Sequence, residues 1–220
     1  MRLTDDLYVY PWTSYRENNC NTVFIDGQVP TLVDPGHMHL FSNVVSQMGM
    51  DGKSPDRVKC VLCTHSHPDH IESIASFDKE VVKGISRQEY EYLYGNGSDL
   101  FLATGSRTPR IPFQLFLKEG TLNLGGKSIQ VIPTPGHSPG GICLYWKEKK
   151  ALLSGDTVFY LGVGRTDFEG GDIDALGDSV ERLSRLNVEY LIPGHGEMLK
   201  GKKAVANNFK AILQEFFGRR

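Results

Sequence analysis

The sequence predicts an α/β fold in which two β-sheets pack face to face with helices on their outer sides. Three observations lead there. Short β-branched and apolar runs, separated by turn residues, fill the first third of the chain. Apolar residues at helical spacing follow them. The same succession, strands and then helices, recurs in the second half. The 220 residues are 40% hydrophobic and 23% charged, which fits one large domain or two small ones. A core of that size folds without disulfides or a structural metal. No low-complexity linker or short-period repeat divides the chain, so we take 1–220 as a single domain.

In chain order, Leu7–Tyr10, 21–25 and Thr31–Val33 read as strands, with Asp26-Gly27 as a tight hairpin turn. Leu40, Val44, Val45 and Met48 then recur at helical spacing until Gly52. A strand at 58–64 leads into a helix that opens near Asp69 with Ile71, Ile74 and Ala75 on one face. Val81-Val82 is a short strand, and Ser86 starts a helix carrying Tyr90, Leu93 and Tyr94. Residues 95–112 are irregular, the pattern of a substrate loop or a mobile insertion. Strands follow at 114–117, 128–132, Ile142–Trp146 and 151–153. An amphipathic helix at 172–186 presents Leu176, Val180, Leu183 and Leu186, and a strand at 189–192 precedes a last helix at 204–217.

Bulk composition excludes several classes. The net charge is -2, and the only basic clusters are Lys200-Gly-Lys202-Lys203 and Arg219-Arg220, which read as solvated helix ends. No nucleic-acid partner is expected. The N-terminus lacks the pattern of a signal peptide, and no run of apolar residues is long enough to span a membrane. Four cysteines are present, Cys20, Cys60, Cys63 and Cys143. Cys60 and Cys63 form a Cys-x-x-Cys within a strand, where a separation of three puts the side chains on opposite faces. They read as reduced structural cysteines, which suits a cytoplasmic protein.

The chemistry is concentrated in Thr64-His65-Ser-His67-Pro-Asp69-His70, where a strand gives way to a helix. In extended backbone His65 and His67 point to the same side and can reach one cation. Past the turn, Asp69 and His70 can reach a second. Imidazole and carboxylate are ligands for zinc, and also for manganese and iron. Three further positions share one local grammar, a polar residue just beyond a strand with Gly or Pro beside it: His137, Asp156 and His195.

These motifs, in this order, resemble the metallo-β-lactamase superfamily, an αββα four-layer sandwich with its site along one edge of the two sheets. The resemblance runs from Asp34 to His195. It implies that His65, His67 and His137 hold a first metal and that Asp69, His70 and His195 hold a second, with Asp156 bridging. Two divalent ions follow, zinc foremost, with iron or manganese as the other ions the set accepts. Asp34 matches a family motif as a supporting acid, whereas His37 and His39 match no ligand position and read as non-catalytic. Two bridged cations would also bridge a water and bring its pKa towards neutrality, while Asp69 orients that nucleophile or relays its proton.

Gly162-Val-Gly-Arg-Thr-Asp-Phe-Glu-Gly-Gly171 resembles a segment of small glyoxalase II-like hydrolases and of persulfide dioxygenases. Arg165 there reads as a supporting residue, pairing with Asp167 to shape the loop after Asp156. The expectation is a metal-dependent hydrolase that cleaves a small thioester or thiol-derived substrate with a metal-bridged hydroxide. The resemblance to the dioxygenases implies the alternative of a single iron on His65, His137 and Asp156. A lactonase and a non-enzymatic metal sensor rank below it. Full-length glyoxalase II carries a further helical domain that binds glutathione, whereas 25 residues follow His195 here, so a different or smaller thioester is expected. Arg107 and Arg110, with Phe101 and Phe113, are the candidate contacts for an anionic substrate. The sequence says nothing about oligomeric state.

Overall fold

The computed structural model describes residues 1–14 and 16–219. Among the described residues, twelve strands form two six-stranded sheets, one from each half of the chain. The first contains β1 (Leu7–Tyr10), β2 (Thr22–Ile25), β3 (Thr31–Val33), β4 (Cys60–Leu62), β5 (Val82–Ser86) and β6 (Leu115–Leu117), in sequence order. The second contains β7 (Gly120–Asn123), β8 (Ser128–Pro133), β9 (Ile142–Trp146), β10 (Ala151–Gly155), β11 (Tyr190–Pro193) and β12 (Leu199–Lys200). β3 to β6 run parallel, as do β10 and β11, and the remaining pairs are antiparallel. The helices are α1 (Phe41–Met50), α2 (Pro68–Ile71), α3 (Arg87–Leu93), α4 (Ser98–Ala103), α5 (Ile173–Ser184) and α6 (Lys202–Phe217).

The layering follows from the two-residue period of the strands. Leu7, Val9, Val23 and Leu62 point inward and meet Leu144, Leu153 and Ile192 between the sheets. Their neighbours Tyr8, Tyr10, Phe24 and Val61 point outward, under Val44 and Met48 of α1 together with Ile71, Ile74 and Phe101. On the other side Tyr145, Leu152 and Leu191 pack against Leu176, Val180 and Leu183 of α5 and Phe209 of α6. Helix, sheet, sheet and helix therefore stack as the αββα sandwich. Cys60 faces the inter-sheet core and Cys63 the helical layer, as their spacing requires. All four cysteines are free and buried, and burial pushes the thiols up, Cys60 to about 12 and Cys143 to about 11.

Several elements differ from expectation. The strand expected at 58–64 is only three residues long, because the chain leaves the sheet to place the histidines. α2 is a single turn that tightens into a 3-10 stretch at Glu72–Ser76, and Ala75 and Val45 are exposed rather than packed. The turn at 26–27 belongs to a longer connection, since β3 starts at Thr31. Within 95–112, α4 is anchored by the fully buried Phe101. β7 and β12 were not expected, being short edge strands of mostly polar residues and glycine. Arg219 is not a solvated end: it pairs with Asp178 at 2.8 Å and Glu181 at 3.1 Å and ties the end of α6 to α5. Arg220 lies outside the described residues. Among the described residues no helix is long and apolar enough to cross a membrane.

At one edge of the sandwich the sheets are joined by direct hydrogen bonds. Ile142 N donates to Thr64 O at 2.9 Å, and Asn21 N donates to Gly194 O at 2.6 Å. The Asn21 carboxamide adds bonds to Pro193 O and Gly196 O, each 3.0 Å. The candidate site lies along this seam.

Candidate metal centre

Each candidate ligand follows the end of a strand. His65 and His67 lie just beyond β4, His137 beyond β8, Asp156 beyond β10 and His195 beyond β11. Pro68 at the first turn of α2 explains the sharpness of the first motif. It holds His67 extended (φ -65°, ψ 147°) and starts the helix immediately after it, so Asp69 and His70 occupy the opening turn. Glycine is required where backbone crowds the site. A Cβ on Gly194 would lie 2.1 Å from Asp156 Oδ1 and 2.7 Å from His70 Cε1.

All seven expected side chains converge. His65, His67 and His137 place donor atoms within 4.8 Å of one another, as do Asp69, His70 and His195, and as do His65, His70 and Asp156. Asp156 lies between the groups, 3.3 Å from His70 Nε2, 3.5 Å from His137 Nε2 and 3.4 Å from His195 Nε2. His195 Nε2 is also 3.2 Å from Asp69 Oδ2. Apart from the half-exposed His195, these side chains are buried.

Polar groups behind the ring fix several of the imidazoles. Asp34 accepts from Thr64 N at 2.8 Å and from Thr64 Oγ1 at 2.7 Å, and its Oδ2 lies 3.1 Å from His70 Nδ1. Thr64 Oγ1 is in turn 3.1 Å from His65 Nδ1. His137 Nδ1 donates to the backbone oxygen of Arg165 at 2.7 Å. Each contact occupies the outer nitrogen of its ring and turns Nε2 inward. Asp34 does this from a left-handed backbone (φ +52°), a conformation that Asp tolerates better than most residues and that surrounding contacts must hold.

These residues fit divalent cations. His65 Nε2, His67 Nε2 and Asp156 Oδ1 are buried without a hydrogen-bond partner, although buried polar atoms are ordinarily satisfied. Nitrogens also confront nitrogens, His137 Nε2 to His67 Nδ1 at 2.9 Å and His70 Nε2 to His195 Nε2 at 3.2 Å. Burial pushes His65 well below the ordinary imidazole range and His67 down to about 3, so both rings stay neutral. Burial alone would raise Asp156 and Asp69, but facing histidines hold both below the usual carboxylate range. Burial opposes protonation of His195, but Asp156 and Asp69 outweigh it and lift the ring to about 9.

The family model of the metallo-beta-lactamase superfamily matches this chain over residues 15–195. The chain belongs to the metallo-beta-lactamase superfamily. Within it, the chain is 28% identical to the hydroxyacylglutathione hydrolase GloC of Haemophilus influenzae, over 87% of this chain and 91% of that protein. It is also 28% identical to a hydroxyacylglutathione hydrolase of Francisella tularensis, over 77% of this chain but 59% of the relative. Among solved structures, TTHA1623 in a di-iron-bound form superposes with a TM-score of 0.72 at 29% identity, covering 86% of this chain and 93% of that one. By family and donor set, the chain is a metallo-hydrolase of the metallo-beta-lactamase superfamily.

The superfamily site opens into a cavity of about 540 Å³, within the range of small-molecule sites. Leu100, Phe159, Val163 and Phe168 form its apolar wall. Among the described residues Arg165 is the one guanidinium on it, but it is already paired with Asp167 at 2.6 Å and stacked over Phe168 at 4.0 Å. Phe168 in turn stands edge-on to His67. Because the backbone oxygen of Arg165 holds His137, Arg165→Ala is expected to preserve metal content. Loss of the stack on Phe168 should raise KM a few-fold, a split read by metal analysis beside steady-state kinetics.

Arg107 and Arg110 are exposed and line no part of this cavity; Arg110 borders a separate groove with Tyr90 and Tyr94. Their segment contributes Leu100, Ala103 and Thr104 to the wall instead, because Phe101 turns α4 into the core. Sequence reasoning also missed Asn18, whose Nδ2 donates to Asp69 Oδ2 at 2.6 Å, and Glu89. Fully buried Glu89 accepts from Ser66 N and Gly140 N, both at 2.8 Å, and from Ser66 Oγ at 2.7 Å. It braces the His65–His67 loop against the His137 loop. Ser86 and Glu89 have capping-box spacing, and Ser86 does cap α3, but the Glu89 carboxylate reaches across the seam.

Proposed function

We propose that this chain is a dinuclear metallo-hydrolase that cleaves a small thioester. The observation that carries the reading is the pair of complete donor triplets meeting at Asp156, with buried lone pairs aimed between them. His65, His67 and His137 would hold one ion and Asp69, His70 and His195 the other. When bound, the divalent ions supply an acidified water and positive charge for the substrate carbonyl; zinc, iron and manganese all suit the set.

The chain's own residues then have distinct tasks. Asp69, held ionised by His195 and His70 and positioned by the Asn18 carboxamide, orients the attacking water by accepting its hydrogen. The water oxygen bonds to the thioester carbon, the C–S bond breaks, and an acid and a thiol leave. Phe159, Val163 and Phe168 keep bulk water from the reacting carbon.

The thioester reading is supported by the named activity of the Haemophilus relative and by the shape of the site. A second cavity of about 540 Å³, lined by Trp12, Glu17, Glu197 and Met198, shares Asn18 and His195 with the first. Two cavities meeting at the centre suit a substrate with an arm on each side of the bond that breaks. Glu17 and Glu197 line the second, and among its described residues there is no Lys or Arg. An anionic thiol such as glutathione is disfavoured there. Glu197→Lys is therefore expected to raise kcat/KM for S-lactoylglutathione a few-fold at low salt, with the gain fading at high ionic strength.

The deciding experiment loads the purified protein with zinc, iron or manganese and follows thiol release from S-lactoylglutathione and from thioesters of smaller, uncharged thiols. Release that disappears on chelation is expected. Intact metal content with no thioester cleaved would overturn the proposal. One iron per chain with oxygen consumed on glutathione persulfide would replace it with the dioxygenase.

A further inference from the structure

We propose that His37, His39 and Glu72 form an additional metal site at the rim of the cavity, taking a divalent transition ion of the zinc class. The three side chains place one donor atom each within 4.8 Å of one another, apart from the seven residues of the main centre. Two segments bring them together. Gly36 N donates to His70 O at 3.2 Å and Ser73 N donates to Gly36 O at 2.9 Å, so the His37 loop lies beside the turn that carries Glu72. His37 N is further held by Asn19 Oδ1 at 2.8 Å. The 3-10 turn at Met38–Leu40 then sets the His39 ring 5.3 Å from that of His37.

An ordinary His–Glu hydrogen bond accounts for only part of this arrangement. Glu72 Oε2 takes His37 Nδ1 at 2.8 Å and Met38 N at 3.4 Å. Glu72 Oε1 is buried with no hydrogen bond within 3.5 Å, the Ser106 side chain being near enough to favour the charged carboxylate, and among the described residues no Lys or Arg pairs with it. The carboxylate keeps an oxygen without a close donor while sharing a cluster with two imidazoles, a donor set able to take a cation. Two imidazoles and one carboxylate suit zinc and leave a coordination position open. His37 is also part of the wall of the main cavity. An ion there adds positive charge to a wall whose single guanidinium is already neutralised by Asp167. The site therefore gives an anionic group of an entering molecule something to meet.

The test uses the metal-loaded protein dialysed against micromolar free zinc, with bound metal counted by mass spectrometry. The wild-type chain is expected to hold one more zinc than His39→Ala and one more than Glu72→Gln. Cobalt in place of zinc should give an extra visible absorption band that both variants lack. Equal zinc content in all three proteins would overturn the site, as would retention of the extra ion by His39→Ala, the mark of adventitious binding. His39 is exposed, so that variant stays decisive even if Glu72→Gln fails to fold. Thiol release from thioesters, assayed in parallel, has no bearing on the count, so failure of the hydrolase reading and failure of this site are distinguishable.

Discussion

Asp156→Asn is expected to abolish hydrolysis, with kcat/KM falling at least about a thousandfold, the equivalent of several kcal/mol of charge stabilisation. Asp156 lies within 3.5 Å of His70, His137 and His195 at once. Asparagine keeps its shape but removes the negative charge that, on the proposed reading, would balance cations on both sides. Its amide group would also turn N–H bonds towards a region lined by imidazole nitrogens. Bound metal should fall from about two ions to about one or fewer per chain, while the sheets remain folded. A variant that retains both ions and wild-type turnover would remove Asp156 from the centre. His67→Ala should also lose hydrolysis, since it strips a donor from one triplet while leaving the other complete.

Glu89→Ala is expected to carry the largest cost in stability. The carboxylate is fully buried and accepts three hydrogen bonds, two of them from the backbone N–H groups of Ser66 and Gly140. Alanine leaves those donors buried and unpaired at about 1–3 kcal/mol each. The two backbone donors alone make a loss of about 2–6 kcal/mol, which should lower Tm by roughly 10 °C for a domain of this size. Glu89→Gln, which keeps one acceptor oxygen, should fall between. Thermal unfolding measures the first effect and zinc affinity the second, because the His65–His67 loop loses its brace. A Tm shift below about 3 °C would mean that the two loops hold their places without it.

That Cys60 and Cys63 lie on opposite faces of their strand was legible because β-strand side chains alternate. The histidines were legible because a His-x-His-x-Asp-His run has few other uses. The groups that orient them were not. Asn18 lies 51 residues from Asp69, and Glu89 lies 51 residues from Gly140, and nothing local marks either as facing the site. Their roles come from the closing of one sheet upon the other. Residues 95–112 misled for a related reason. Their glycines and prolines announce a loop, and its arginines suggested anion binding, but the buried Phe101 decides which side faces the cavity.

The bonds that join the sheets at Asn21, Thr64 and Ile142 run between backbone and carboxamide groups and involve no metal ligand. The ends of β4 and β11 are thus registered to their opposite sheets whether or not a cation sits between them. The socket is framed by bonds that the sheets make with each other, and removal of metal by a chelator is expected to leave both sheets standing, their far-ultraviolet circular dichroism unchanged.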